Sequence, residues 1–298
     1  MSLPVTICGA SIKGRRAENQ DRIFFSSREN SPVRAIVAVA DGMGGTRGGE
    51  IASQEVIKDL ENIFHEVAPE NPEDLKEWLR EYLNKATARL KTLAAEDPYL
   101  RDMGSTFVAS VLLNSGKLVT VNIGDSRSYM VTSRQISRIT VDHTVEEQAR
   151  QEGSKVLGGM ERMKDYLTRA LTPYSGDVPD FFCHTLLEPL QEGVVVATCS
   201  DGLYKFVPDS IIHETVLSSD NLEDALAALI SYAKESGSND NISVAAMEIG
   251  KLERKFEMGF KTAPVERRKK PARAFRNALL LVFGLLLAAA VTFFLVKG

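Results

Sequence analysis

Two uninterrupted apolar runs in this chain end in the same way. Residues 35–40, AIVAVA, lead into Asp41-Gly42, and residues 194–199, VVVATC, lead into Ser200-Asp201-Gly202. An apolar run of this length, closed by a turn signal, predicts a strand buried on both faces. Such a strand sets the residue that follows it at the rim of the core. Asp there is a rigid carboxylate, and the neighbouring Gly leaves room for a cation or ligand to approach the backbone. One Asp-Gly at a strand end is a common turn, whereas two delivered alike mark a candidate site.

The rest of the chain alternates between strand and helix patterns. Short strands are predicted at 5–8, 22–26, 106–113, 117–122, 128–131 and 241–249, with a hairpin signal at Asn114-Ser115-Gly116. Ile51, Ala52, Val56, Ile57, Leu60, Ile63, Phe64 and Val67 fall on one helical face. A second stripe runs from Leu75 to Leu93, with Pro72 near its start, where a missing N–H costs nothing. Two more helical patterns occupy 209–217 and 222–235, and the polar stretch 145–165, with Gly158-Gly159, reads as a mobile loop. Runs of strands interrupted by pairs of helices predict α+β layers and not a strict βαβ alternation.

With 298 residues, 44% apolar and 26% charged, the chain can bury a sizeable core without a disulfide or metal staple. Cys8, Cys183 and Cys199 are widely spaced and odd in number, which predicts reduced thiols and no zinc pattern. The net charge of −4 conceals two zones. Residues 251–276 hold ten Lys/Arg against three Glu, and Lys297 adds one more charge, so residues 1–250 carry −12. An acidic body of this kind excludes nucleic acid as the expected partner. Beyond the basic stretch, Ala278–Val296 is a run of 19 residues without a charge, close to the roughly 20 that a bilayer core requires. The expectation is a single-pass helix over 277–296 with residues 297–298 outside. The flanking basic residues 251–276 would then fix residues 1–250 in the cytoplasm and lean on the lipid bilayer.

Acidic patterns recur at strand and turn edges: Asp21, Asp41, Asp125, Asp201 and Asp240. Most have no Cys or His beside them. Carboxylate and carbonyl oxygens select hard cations such as Mg²⁺ or Mn²⁺, whereas zinc would call for His or thiolate. His143 follows Asp142, but one His does not make a zinc site. The glycine cluster of residues 41–50 follows a strand and opens a helix, yet it lacks the Lys-Ser/Thr of a P-loop, and Arg47 stands where a G-x-G-x-x-G would need its third Gly.

Arg16-x-x-Asn-Gln-Asp21, Asp41-Gly-Met-Gly-Gly45, Gly104-Ser-Thr106, Gly124-Asp-Ser-Arg127, Leu167-Thr-Arg-Ala-Leu171, Ser200-Asp-Gly202 and Asp240-Asn241 follow one another in a fixed order. Over residues 4–249 this order resembles that of PP2C-type (PPM) protein phosphatases, and Gln20 and Met43 are similar to their bacterial branch. The resemblance implies a central antiparallel β-sandwich flanked by helices, with a two-metal site at one end.

It further implies a role for each matching residue. Asp41 resembles the carboxylate bridging two Mg²⁺ or Mn²⁺ ions, Gly42 the carbonyl ligand of one, and Asp201 and Asp240 ligands of the other. Asp125 resembles a partner, with Asp201, in a weaker third site. Arg16 resembles the phosphate-binding guanidinium, and Asp21 belongs to the same site. The implied chemistry is hydrolysis of phosphoserine and phosphothreonine in proteins by a metal-bridged hydroxide attacking in line, without a phosphoenzyme intermediate. Met43 stands where many relatives have His and cannot donate a proton. Phosphorylated proteins, among them a membrane Ser/Thr kinase and its targets, are the expected partners. Two other readings stay open: a non-catalytic scaffold of the same fold, and a phosphatase of small phosphomonoesters.

Overall fold

Side-chain alternation along the central strands decides how the layers stack. In β3 (Val33–Met43), Ala35, Val37 and Val39 face one apolar cluster while Ile36, Ala38 and Ala40 face another. In β10 (Val194–Cys199), Val194 and Val196 join the cluster of Ala35, Val37 and Val39, and Val195, Ala197 and Cys199 face a third. Period-two geometry sends neighbouring residues to opposite faces, so a strand that is apolar throughout must be covered twice. That is why both runs read as continuous.

The computed structural model describes residues 3–29, 31–58, 60, 71–154, 161–178, 182–186 and 188–254. Two antiparallel sheets carry the fold. One has the order β1 (Val5–Ile12), β11 (Ile242–Ile249), β10, β7 (Arg127–Thr132), β8 (Ile136–Arg138). The other has the order β2 (Asp21–Ser27), β3, β5 (Phe107–Leu113), β6 (Leu118–Ile123), β9 (Phe182–Leu186), with β4 (Gly104–Ser105) paired to the end of β3. Their facing sides share one core, in which Val37, Val108 and Leu118 meet Val196, Ala245 and Met247.

Helices cover the outer faces. Helices α1 (Gly45–Ile57) and α2 (Pro72–Glu96) lie over the β3 sheet, where Leu79, Leu83, Ala86 and Leu90 pack with Phe107, Ala109 and Val121. Asn71 caps α2 by accepting the Asp74 N–H at 3.0 Å, with Pro72 in the first turn as expected. Helices α5 (Asp209–Ser218) and α6 (Leu222–Glu235) cover the β10 sheet through Val216, Leu226 and Leu229. The α+β expectation with antiparallel sheets and flanking helices agrees with this architecture.

Several boundaries differ. Strand β3 continues through Asp41 and Gly42 to Met43, because β4 supplies a partner for its last residues. Strands β8 and β9 are short, with half-buried side chains, and carry too weak an alternation to be read. Within 145–165 lies a helix, α3 (Val145–Gln151), capped by Thr144, whose hydroxyl accepts the Glu147 N–H. Gly158-Gly159 and the apolar positions Ile63, Phe64 and Val67 lie outside the described residues.

The expected membrane placement is corrected. Among the described residues no helix is long and apolar enough to cross a membrane. Helix α2, at 25 residues, carries Glu77, Arg80, Glu81 and Lys85. The run Ala278–Val296, the segment 297–298 and all but the first four residues of 251–276 lie outside the described residues. The single-pass topology and the bilayer as a partner find no support among the described residues.

Leu83 is fully buried between α2 and the sheet. Leu83→Ala is expected to destabilise the fold by roughly 2–5 kcal/mol, through lost burial and a residual cavity. Urea unfolding checks this, with an unchanged midpoint as the contrary result.

Candidate metal and phosphate site

The ends of both sheets meet around one cleft of about 430 Å³, lined by Arg16, Asp41, Gly42, Met43, Asp201 and Asp240 among others. Asp41 stands directly opposite Asp21 in the β2–β3 pair. Its backbone is clamped, since its N–H donates to the Thr106 hydroxyl at 3.0 Å and its carbonyl accepts the Thr106 N–H at 2.8 Å. No hydrogen bond among the described residues ends on its carboxylate.

The glycine after each Asp has a packing role beyond the one expected. A Cβ on Gly42 would lie 2.0 Å from the Gly49 carbonyl oxygen, and one on Gly202 would lie 1.9 Å from that of Asn241. Both glycines let the chain approach itself. Gly42 seats α1 against the end of β3, and Gly202 brings α4 (Asp201–Tyr204) against the start of β11. Asp201 and Asp240 are thereby drawn to the same cleft.

Arg16 lies in the turn between β1 and β2, and Asn241 fixes that turn. The Asn241 amide donates to the carbonyls of Lys13 and Glu18, both at 2.9 Å, and its oxygen accepts the Gln20 N–H at 2.9 Å. Sequence reasoning assigned no role to Asn241 or Gln20, although both stand inside quoted motifs.

Burial and mutual repulsion shape the electrostatics. Burial raises the pKa of Asp41 well above the ordinary range, and the charges of Asp21, Asp201, Asp125 and Asp240 push it further. Asp21 is pushed up to about 6, chiefly by burial, against the hydroxyls of Ser243 and Ser200, the latter donating at 2.7 Å. Asp125, also buried, is pushed up to about 6 by burial and by Asp201, with Lys205 opposing. His143 does not join the cluster. Its Nδ1 accepts the Gly124 N–H at 3.1 Å, bracing the turn that carries Asp125, and burial and Arg169 push its pKa down to about 4.

The expected site residues thus gather in one region, with Asp125 electrostatically in reach of the others. They do not form a closed cage. Among the described residues no three His, Cys, Asp or Glu side chains stand close enough to clasp one ion. Two carboxylates are turned onto basic side chains instead. Arg16 Nη2 meets Asp240 Oδ2 at 2.7 Å, and Lys205 Nζ meets Asp201 Oδ2 at 2.7 Å. Lys205 was missed by sequence reasoning because a Lys four residues after an Asp on a helix is ordinarily a surface pair. The donor chemistry still fits hard divalent cations: several carboxylates face one cleft, and Asp41, the most strongly raised of them, accepts no hydrogen bond among the described residues.

The model of the family described as Protein phosphatase 2C matches residues 8–245. The chain belongs to the protein phosphatase 2C family. A serine/threonine phosphatase stp of Listeria monocytogenes is 32% identical over 241 residues, covering 79% of this chain and 92% of the relative. The crystal structure of the Mycobacterium tuberculosis phosphatase PstP/Ppp superposes with a TM-score of 0.68 at 27% identity, covering 83% of this chain and 99% of that one. A PstP catalytic domain in complex with two manganese ions has a TM-score of 0.67 at 27% identity, covering 83% of this chain and 98% of that one.

The raised carboxylate pKa values set a pH-dependent cost in this phosphatase 2C chain. A carboxyl group whose folded pKa exceeds its unfolded value binds more protons in the folded state, so stability falls as pH rises from about 4 through the folded pKa. Asp41→Asn removes that cost. In chelator at pH 7.5 the variant is expected to melt at a higher temperature than the wild type, by roughly 2–4 °C for each kcal/mol relieved. The gain should vanish below about pH 4, where the carboxyl is protonated in both states. Calorimetry across pH checks this, and a lower melting temperature for Asp41→Asn at pH 7.5 is the contrary result.

Proposed function

We propose that this cleft hydrolyses phosphoserine and phosphothreonine in proteins, with two Mg²⁺ or Mn²⁺ ions held by Asp41, Gly42, Asp201 and Asp240 and supported by Asp21. The observation that carries the reading is the Asp41 carboxylate, which accepts no hydrogen bond among the described residues and whose pKa is raised by burial and by four neighbouring carboxylates. The relatives named as Ser/Thr phosphatases, one of them with two manganese ions, support it. Residues 1–250 are proposed as the catalytic domain. The natural counterpart is a Ser/Thr kinase, whose phosphorylated products are the substrates.

Two divalent ions, once bound there, would lower the pKa of a water toward neutrality and offset charge on the phosphoryl oxygens. The chain does the rest. Asp41, clamped through its backbone, fixes the position of the reacting centre at the end of β3. Arg16, 57% exposed in its side chain and paired through Nη2 with Asp240, carries a planar fork that can exchange that pairing for two phosphoryl oxygens. Asn241 and Gln20 hold the turn behind it, which limits the entropy lost when phosphate binds. Met43 lines the cleft but has no proton to give, so the leaving serine or threonine oxygen takes its proton from water. No side chain needs to be phosphorylated.

Turnover of a phosphothreonine peptide by the full chain tests the proposal. Activity is expected with millimolar Mn²⁺ or Mg²⁺ and none in excess chelator. Asp41→Asn should lose at least ~10³-fold in rate, roughly 4 kcal/mol in the barrier. Arg16→Ala should raise KM, with a smaller loss in kcat. Full turnover in chelator, or near-wild-type rates for Asp41→Asn, contradicts the assignment.

A further inference from the structure

We infer that Lys205 occupies the third cation position of the cleft and limits this chain to two bound divalent ions. The inference rests on the two-ion reading for Asp41, Asp201 and Asp240 but concerns a separate pair, Asp125 with Asp201, where the family resemblance implies a weaker third site.

The ammonium of Lys205 lies between these two carboxylates. Its Nζ is 2.7 Å from Asp201 Oδ2 and 3.8 Å from Asp125 Oδ2. Local structure puts it there, because α4 begins at Asp201 and Lys205 follows it by four residues, one helical turn on. The Asp125 oxygen that faces Lys205 also accepts the Tyr204 hydroxyl at 3.3 Å. Tyr204 is held in turn: the Arg127 guanidinium lies 3.7 Å from its ring centroid, and Arg127 is fixed to Asp142 by a 2.6 Å ion pair. One oxygen of Asp125 thus already accepts from Tyr204, which Arg127 braces, and faces the Lys205 ammonium.

A divalent ion between Asp125 and Asp201 would have to displace the ammonium from both. The displaced charge would stay tethered nearby and repel the ion across a partly buried site. Tethering also gives the ammonium a local concentration of about the millimolar range or higher, which competes with a weakly held free ion. Charge balance points the same way. Two divalent ions, Lys205 and Arg16 together already offset the five carboxylates. Lys205 differs from an ion in one respect that matters for chemistry, since an ammonium donates hydrogen bonds but cannot activate a water.

The test counts Mn²⁺ bound per full chain at saturating Mn²⁺. Anomalous scattering from crystals locates the ions, and electron paramagnetic resonance of free Mn²⁺ gives the number in solution. Wild type is expected to hold two, none of them between Asp125 and Asp201. Lys205→Gln is expected to hold a third at that pair, and Lys205→Arg, which keeps the charge, to hold two. A third ion between Asp125 and Asp201 in the wild type overturns the inference, as does a Lys205→Gln count that stays at two. If Lys205→Gln does not fold, the wild-type count and position still decide. No Mn²⁺ at Asp41 in the wild type is a different pattern, which overturns the two-ion reading itself and this inference with it.

Discussion

Five carboxylates share one end of the two sheets, and four of them raise the cost of ionising the fifth, Asp41. Like charges brought this close, with burial added, are destabilising unless cations stand among them. Among the described residues, Arg16 pairs with Asp240 and Lys205 with Asp201, and no ion pair is made to Asp41. A fold that holds such a cluster together must gain its stability elsewhere. The source is visible in three apolar clusters, one between the sheets and one under each helical layer. The arrangement is the usual trade of stability for function, in which a strained site is carried by an otherwise well-packed frame.

The frame also fixes where the charges stand. Asp41 is held by β4 and Thr106 on one side and faces Asp21 on the other. Asp201 and Asp240 come from just beyond the ends of paired strands, and the close approach of Gly202 to the Asn241 carbonyl leaves no room for a side chain there. The Arg16 turn is stitched to Asn241 by three hydrogen bonds. Each contact is long-range in sequence, so the site forms only when both sheets have packed.

Much of this was legible in the sequence, for a physical reason. Strands covered on both faces leave continuous apolar runs, and the residues that follow them, Asp41 and Asp201, are marked by that boundary. The helices at 72–96 and 222–235 were legible from their apolar stripes and from caps such as Asn71 and Pro72. Strands β8 and β9 were not, because their half-buried residues carry little contrast between faces. Helix α3 was hidden in a polar stretch, where capping by Thr144 and the Glu147–Arg150 pair do what an apolar stripe would otherwise do. Asn241 was missed because its partner, the 13–20 turn, is far away in sequence, and Lys205 because its i,i+4 pairing with Asp201 looks like a surface pair while its contact with Asp125 is distant in sequence. The apolar run at 278–296 carried an expectation that the described residues do not support.

The central claim is that divalent cations relieve the repulsion focused on Asp41. Thermal unfolding of the wild type and Asp41→Asn across a Mn²⁺ titration tests it most directly. Ions that bind only the folded state stabilise it by about 2.7 kcal/mol at a concentration 100 times Kd. The wild type should therefore melt at steadily higher temperature as Mn²⁺ rises, and Asp41→Asn should lose most of that gain. A wild-type melting temperature indifferent to Mn²⁺, or an equal rise in both proteins, would contradict the account.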